Sequence, residues 1–292
     1  MYDIIGDVHG NDEKLVALLQ KLGYHQKENT FFHHSRKIIF LGDLIDKGTH
    51  SREVLFLVSQ MVEKGYAYAL PGNHEWFLIS YFTQNNQGEY LRAHTEEHYQ
   101  QLAPTLANFA DDFSALIDYI HWIKTLPLFL SIDGIRAVHA YWHTPSVAFL
   151  QRRYGSSCTI GDLLPAIMAS DVPTPNALNE LIEGLTLPEP SGDGTFKVKW
   201  WQLAESDRYQ DLAIRPDAQF ENNAVDITID VEEYTYPPEA PLLFFGHYNL
   251  PGQPVSIGSN FCCLDYSVPD QAIIPAYRWE GESIIDPNHI VY

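Results

Sequence analysis

KIIFLGDLIDKG, residues 37–48, is the stretch that decides the reading of this chain. The apolar run Lys37–Leu41 leads straight into Gly42, and two aspartates follow, Asp43 and Asp46, with Lys47 and Gly48 closing the motif. A short apolar run bounded by glycine reads as a buried strand. Two carboxylates therefore stand at the end of a strand, where an acid needs a partner or a task.

The neighbouring segments follow the same plan. Tyr2-Asp3-Ile4-Ile5 reads as a strand that ends at Gly6-Asp7-Val8-His9-Gly10. Asn11 is placed to cap a helix whose inner face is Leu15, Leu18, Leu19 and Leu22, with Gly23 at its close. Ser51 opens a second amphipathic helix, with Val54, Leu55, Val58, Met61 and Val62 inward and Gly65 at its end. Tyr66–Leu70 is a third strand, running into Pro71-Gly72-Asn73-His74-Glu75. Strands alternating with helices predict a parallel sheet. In such sheets sites gather outside the carboxyl ends of the strands.

Residues 76–125 read as mainly helical, and 128–132 with 135–140 as a hairpin around Asp133-Gly134. Residues 141–240 form an acidic, proline-rich insertion, with 15 Asp and Glu against four Lys and Arg over 171–240. Helices are expected there at 160–169 and 176–185. Strand signals return at Leu242–Phe245, Phe261–Leu264 and Ile273–Trp279.

Bulk composition narrows the function classes. The chain has 292 residues, 45% of them hydrophobic, enough for a substantial core. Eighteen basic residues against 38 acidic give a formal charge of −20, which repels phosphate backbones and anionic lipid and argues against non-specific nucleic-acid or membrane binding. Three cysteines, Cys158, Cys262 and Cys263, build neither a disulfide framework nor a zinc finger, so a reducing, cytoplasmic setting is expected. No signal peptide or bilayer-length apolar run is read.

The polar residues at the strand ends are Asp7, His9, Asp43, Asp46, Asn73, His74, His139 and His247. Carboxylate, imidazole and amide donors together suit Mn²⁺, Fe²⁺ or Zn²⁺ rather than a thiolate site. Asp7 and His9, two apart, are expected on one side of an extended backbone, where both can reach one ion.

GDVHG, GDLIDKG and GNHE in that order, followed by isolated histidines in VHA and FGHY, resemble the calcineurin-like metallophosphoesterases, in particular their phosphoprotein-phosphatase branch. The resemblance is strong over 1–75, continues at 135–140 and returns at 241–280. It implies an α/β fold over 1–292, an αββα sandwich of two mixed sheets flanked by helices, with 141–240 inserted in a single domain. It implies two divalent cations, Mn²⁺ foremost, with Fe, Zn or Ni as alternatives. Asp7, His9 and Asp43 would hold the first, and Asp43, Asn73, His139 and His247 the second. His74 would be the proton donor, oriented by Asp46. Lys47, where the family usually has arginine, and Asn73 would contact substrate phosphate. The implied reaction is hydrolysis of a phosphoric monoester, on a phosphoprotein or small molecule, by a hydroxide held between cations roughly 3.5–4 Å apart. The alternatives are a dinucleoside polyphosphate hydrolase of the Ap4A type, and an interaction module that binds metal without turnover. Phosphodiesterases of this superfamily carry Gly-His-x-His, whereas this chain has Gly246-His247-Tyr248-Asn249.

Other features have plainer expectations. Asp3 should cap or solvate the first strand. His25, His33, His34, His50, His94, His98, His121, His143 and His289 should be surface or satisfied core histidines. Trp200 and Trp201 should pack in the interior. Ala140 and Tyr141, where the branch has two glycines, should narrow the substrate groove. Arg208 or Arg215 would supply a second phosphate-binding cation.

Overall fold

A computed structural model of the chain describes residues 1–189, 194–214, 231–255, 257–268 and 271–292. The three early strand predictions form Tyr2–Ile5, Lys37–Phe40 and Ala67–Ala69, all parallel. Ala276–Trp279 pairs antiparallel with Tyr2–Ile5, and Ile290–Val291 adds an edge, completing five strands. A second sheet orders Phe261–Cys263, Leu242–Phe245, Ile135–Val138 and Phe129–Ile132. Its first three strands are parallel, and the hairpin through Asp133 (φ 49°) and Gly134 (φ 88°) makes the fourth antiparallel.

Alternation along the strands builds the layers. Ile4, Ile39 and Tyr277 face Ile135, Ala137, Leu242, Phe244 and Cys262 in one buried cluster between the sheets. The alternate residues Ile5, Ile38 and Phe40, and Val138, Leu243, Phe245 and Cys263, face outward against helices in a second cluster. The result is an αββα sandwich, as the sequence predicts. Asp12–Lys21 buries Leu15, Leu18 and Leu19, and Ser51–Glu63 buries Val54, Leu55, Val58 and Met61. Asn73–Phe82, Glu96–Asn108 and Phe113–Ile123 account for the helical stretch after residue 75.

Within 141–240 the helices are Thr144–Tyr154, which the sequence pattern did not reveal, Ile160–Met168 and Pro173–Ile182. A hairpin, Thr186–Pro188 with Thr195–Lys197, follows. Leu178, Phe196, Val198 and Trp200 join the cluster that contains Ile5 and Leu15, so these residues share its core. Trp200 is buried against Phe245, Phe261 and Tyr141, with ring centroids 5.0–5.4 Å away.

Three local expectations are corrected. Asp3 is buried, accepting from the Tyr24 hydroxyl and from Arg278 Nε at 3.0 Å each, with Arg36 Nη1 at 3.7 Å. A charge on an inner strand is held by two arginines from other elements, which local sequence does not reveal. Ala140 and Tyr141 are buried, with both backbone amides donating to Leu181 O, and neither lines the cleft described below. Asn11 stands at the helix start, but its side-chain amide turns back to donate to Val8 O and His9 O. No helix among the described residues is long and apolar enough to cross a membrane.

Candidate metal centre

The loops after five parallel strands carry the candidate residues: 6–10, 42–48, 71–75, 139 and 246–249. They are bound to one another through the backbone. Val8 N and His9 N donate to Asp43 O at 3.1 and 2.8 Å, and Gly10 N donates to Leu44 O at 2.8 Å. His9, Asp43, Asp46, Lys47, His247 and Asn249 all have positive φ, from 46° to 72°. Such left-handed non-glycine residues gather where surrounding structure over-determines the backbone, often at functional sites. Asp7 and His9 therefore converge through a turn and not, as the alternation argument expects, along an extended strand.

Glycine is required at two contacts. A Cβ on Gly72 would lie 2.2 Å from Asp43 Oδ1, and one on Gly246 would lie 2.1 Å from Asp7 Oδ1. Backbone thus presses against both carboxylates, which lets Asn73 and His247, the next residues, reach the same space.

Asp43 is the hub. Ligand atoms of His9, Asp43 and His74 lie within 4.8 Å of one another, and so do those of Asp43, His139 and His247. His9 Nε2 is 3.6 Å from Asp43 Oδ2 and 3.8 Å from Asp7 Oδ2. On the other side His139 Nε2 is 3.4 Å from Asp43 Oδ1. Asn73 Oδ1 lies 3.1 Å from His139 Nε2 and 3.0 Å from His247 Nδ1. The outer ring nitrogens are engaged: His9 Nδ1 donates to Ile45 O at 3.1 Å and His139 Nδ1 to Leu41 O at 2.8 Å. Their Nε2 lone pairs consequently point inward.

The donor set fits a cation. Asn73 Oδ1 faces acceptors, and only a turned-over amide would donate to Asp43, His139 and His247 from 3.0–3.3 Å. Asn249 Oδ1 is buried on the cleft wall and meets no hydrogen-bond donor among the described residues. Amide oxygens that face acceptors, set among carboxylates and imidazole nitrogens, are the environment a divalent ion satisfies.

The electrostatics agree. Burial pushes the Asp7 carboxyl well above the usual carboxylate range, with Asp265 and Asp43 adding to it. Burial acts the same way on Asp43, but the encircling His139, His74, His9 and His247 outweigh it and hold Asp43 below that range. Burial, aided by Lys47 and His74, takes His9 down to about 4. Burial also holds His247 well below the usual imidazole range, with Lys197 adding to it. Neutral imidazoles are the ligand form.

His74 is built differently. Burial disfavours its charge, yet Asp43 and the Asp46 hydrogen bond raise its pKa above the usual value. Its Nδ1 donates to Asp46 Oδ2 at 2.7 Å, leaving Nε2 on the cleft side, 3.9 Å from Asp43 Oδ2. Thr105 supports the pair from the helix Glu96–Asn108: its hydroxyl donates to Asp46 Oδ1 at 2.5 Å and accepts from Asp46 N at 3.0 Å. Ser51 Oγ accepts from the same amide at 3.1 Å.

Sequence reading passed over Glu75, Thr105, Ser51 and Lys197. Glu75 is fully buried and accepts from Asp43 N, Gly72 N, Leu44 N and Ile45 N at 2.7–3.3 Å, clamping two motif loops together. Burial, then Asp43, raises its pKa to about 7. Its adjacency to Asn73-His74 was the available signal. Thr105 and Lys197 lie in segments with no motif, so only folding reveals them.

The cleft over this centre has a volume of about 350 Å³ and is lined by Asp43, Lys47, Asn73, His74 and His247, with Phe196, Lys197, Ala213 and Ile214 from the insertion. Lys47 Nζ donates to His9 Nε2 at 2.6 Å. Arg208 is exposed and off the cleft, against expectation, and Arg215 lies outside the described residues. His143 is buried elsewhere, with Nδ1 2.9 Å from Ser146 Oγ and 2.5 Å from Glu180 Oε2.

Comparison with known proteins accords with this geometry. The family model described as calcineurin-like phosphoesterase matches residues 2–251. Bis(5'-nucleosyl)-tetraphosphatase PrpE [asymmetrical] of Halalkalibacterium halodurans is 53% identical over 74 residues, 25% of this chain and 30% of that protein. Its namesake in Oceanobacillus iheyensis is 38% identical over 146 residues, 49% of this chain and 56% of that one. The matched stretch thus spans about a third to somewhat over half of these curated relatives. The crystal structure of a "putative diadenosine tetraphosphatase" superposes with a TM-score of 0.50 at 17% identity, covering 97% of this chain and 91% of the other, a likeness of fold.

Proposed function

The chain belongs to the calcineurin-like phosphoesterase family, and within it we propose that it is a dinuclear, metal-dependent hydrolase of phosphoric esters and anhydrides, acting on dinucleoside polyphosphates in preference to phosphoproteins. The observation that carries the reaction is Asp43 standing between two sets of donors, His9 with His74 on one side and His139 with His247 on the other. The substrate class is supported by the tetraphosphatase relatives, whose matched stretches fall on part of their length.

Asp7, His9 and Asp43 would hold one cation, and Asp43, Asn73, His139 and His247 the other. When bound, such a pair polarises the phosphoryl group and lowers the pKa of a bound water from about 15.7 toward roughly 7. The remaining work falls to this chain's side chains. Lys47 brings a point charge to the phosphoryl oxygens, without the bidentate fork of arginine. Asn73, beside it on the cleft wall, positions the same group. His74, fixed by its Nδ1 bond to Asp46, hands the proton on Nε2 to the departing oxygen. Oxygen and imidazole donors with no thiolate suit Mn²⁺, Fe²⁺ or Zn²⁺ alike, and Mn²⁺ is the ion used in the tests below. Three buried free cysteines suit a reducing compartment, and we place the protein in the cytoplasm. We read 1–292 as one catalytic unit with 141–240 inserted, its Phe196, Lys197, Ala213 and Ile214 walling the cleft.

The test is a panel of an aryl phosphate, a phosphopeptide and diadenosine tetraphosphate, run on Mn²⁺-loaded protein. Turnover of the tetraphosphate should exceed that of the phosphopeptide, and Asp43→Asn should abolish both. Undiminished turnover after Asp43→Asn would move the site elsewhere. Two bound metal equivalents with no hydrolysis in the panel would instead establish a silent binding module.

A further inference from the structure

Lys197 ends the hairpin strand Thr195–Lys197 and reaches the metal centre from outside. Its Nζ lies 2.8 Å from His247 Nε2 and 3.5 Å from Glu183 Oε2. The opposite nitrogen of the same ring, Nδ1, faces Asn73 Oδ1 at 3.0 Å. The imidazole therefore stands between the ammonium and the inner donor set, and Lys197 sits one ring's width farther out. Lys47 differs: it meets His9 at Nε2, the nitrogen that faces Asp7 and Asp43, and so lies at the inner donor set itself. These are the two lysines lining the cleft among the described residues, in a chain of formal charge −20.

We propose that Lys197 holds the phosphate adjoining the one under attack, so that the cleft selects a nucleoside-bearing phosphoanhydride chain over a lone phosphate group. This assignment rests on the phosphoesterase reading above. A phosphoryl group seated at Asp43, Asn73 and His74 has the His247 ring between it and Lys197. The next phosphate along a polyphosphate passes the ring edge and meets the ammonium, whose side chain is 43% exposed and can follow it. Phe196, Ala213 and Ile214 flank Lys197 on the same wall and give a nucleoside apolar surface to rest against.

The experiment titrates orthophosphate and inorganic tripolyphosphate into the Mn²⁺-loaded 292-residue chain by calorimetry, at constant free Mn²⁺, for the unsubstituted chain, Lys197→Met and Lys197→Arg. Lys197→Met should weaken tripolyphosphate about tenfold, the scale of one charge-assisted contact, and shift orthophosphate far less. Lys197→Arg should restore most of the loss. The KM for diadenosine tetraphosphate should rise in parallel in Lys197→Met, with kcat less affected. Equal weakening of both anions would put Lys197 on the attacked phosphate or on His247 itself and overturn the assignment, as would unchanged tripolyphosphate binding. Binding is separated from turnover by assaying each titration for orthophosphate released from the tripolyphosphate. A protein that hydrolyses nothing yet keeps the tenfold difference would remove the phosphoesterase reading and leave the subsite standing.

Discussion

At the scale of single residues, each buried acid of the centre solves its desolvation differently. Asp46 takes hydrogen bonds from Thr105 and His74, and Glu75 takes them from four backbone amides. Among the described residues Asp7 takes a hydrogen bond from His247 N alone, shared at 3.2 Å by both oxygens, and burial raises its pKa well above the usual range. This contrast orders the expected losses. His74→Asn should lower kcat by roughly 10²–10⁴, the range for a general acid, and more for alkyl than for aryl phosphates, since a good leaving group needs less help from a proton. An equal loss across leaving groups would remove proton donation from His74. Thr105→Val keeps the acid and loosens its support, so a drop nearer tenfold is expected, about 1.4 kcal/mol in the barrier. Glu75→Ala acts on stability: it strands up to four buried N–H groups at about 1–3 kcal/mol each before relaxation. A loss of about 3 kcal/mol or more in urea unfolding is expected. A change under 1 kcal/mol would mean that the loops hold together without it.

At the scale of elements, the centre depends on turns that bring backbone against carboxylate. Gly72→Ala and Gly246→Ala each place a methyl group about 2 Å from an acid oxygen, Asp43 Oδ1 and Asp7 Oδ1 respectively, far inside van der Waals contact. Either change should reduce bound Mn²⁺ below two equivalents by elemental analysis while the circular dichroism of the sheets is kept. Two full equivalents in both variants would show that the turns yield. The three early strand–motif units were legible because apolar runs, glycines and polar residues follow one another locally. Asp43, Asp46, Asn73 and His74 each stand within a few residues of a strand end, so their meeting could be anticipated. The turn at His9 could not, because a left-handed histidine is fixed by the hydrogen bonds that Val8 N and His9 N donate to Asp43 O, across more than thirty residues. The helix Thr144–Tyr154 was hidden by a proline at its start and a mixed face. Lys197 was hidden because its cleft position comes from a hairpin docked through Phe196 and Val198 into the cluster that contains Ile5 and Leu15.

At the scale of the whole molecule, the sandwich gathers the carboxyl ends of parallel strands from two sheets and leaves Asp7, Asp43 and Asp265 buried near one another, in a protein already at −20. Buried like charges oppose folding unless cations or protons offset them. Divalent ions bound between them are accordingly expected to be a large part of stability as well as catalysis. An ion that binds only the folded chain adds RT ln(1 + [L]/Kd), about 4.1 kcal/mol when its concentration is a thousand times Kd. For a chain near this size, each 1 kcal/mol moves the melting temperature by roughly 2–4 °C. Chelation by EDTA should thus lower the melting temperature by about 8 °C or more, and returned Mn²⁺ should restore it. Asp43→Asn removes one buried charge and the shared ligand together, so its own melting temperature should respond weakly to chelator. Scanning calorimetry of both proteins, with and without EDTA, separates the cases. A chelator effect of equal size in Asp43→Asn would place the stabilising ions away from this aspartate, and with them the centre built around it.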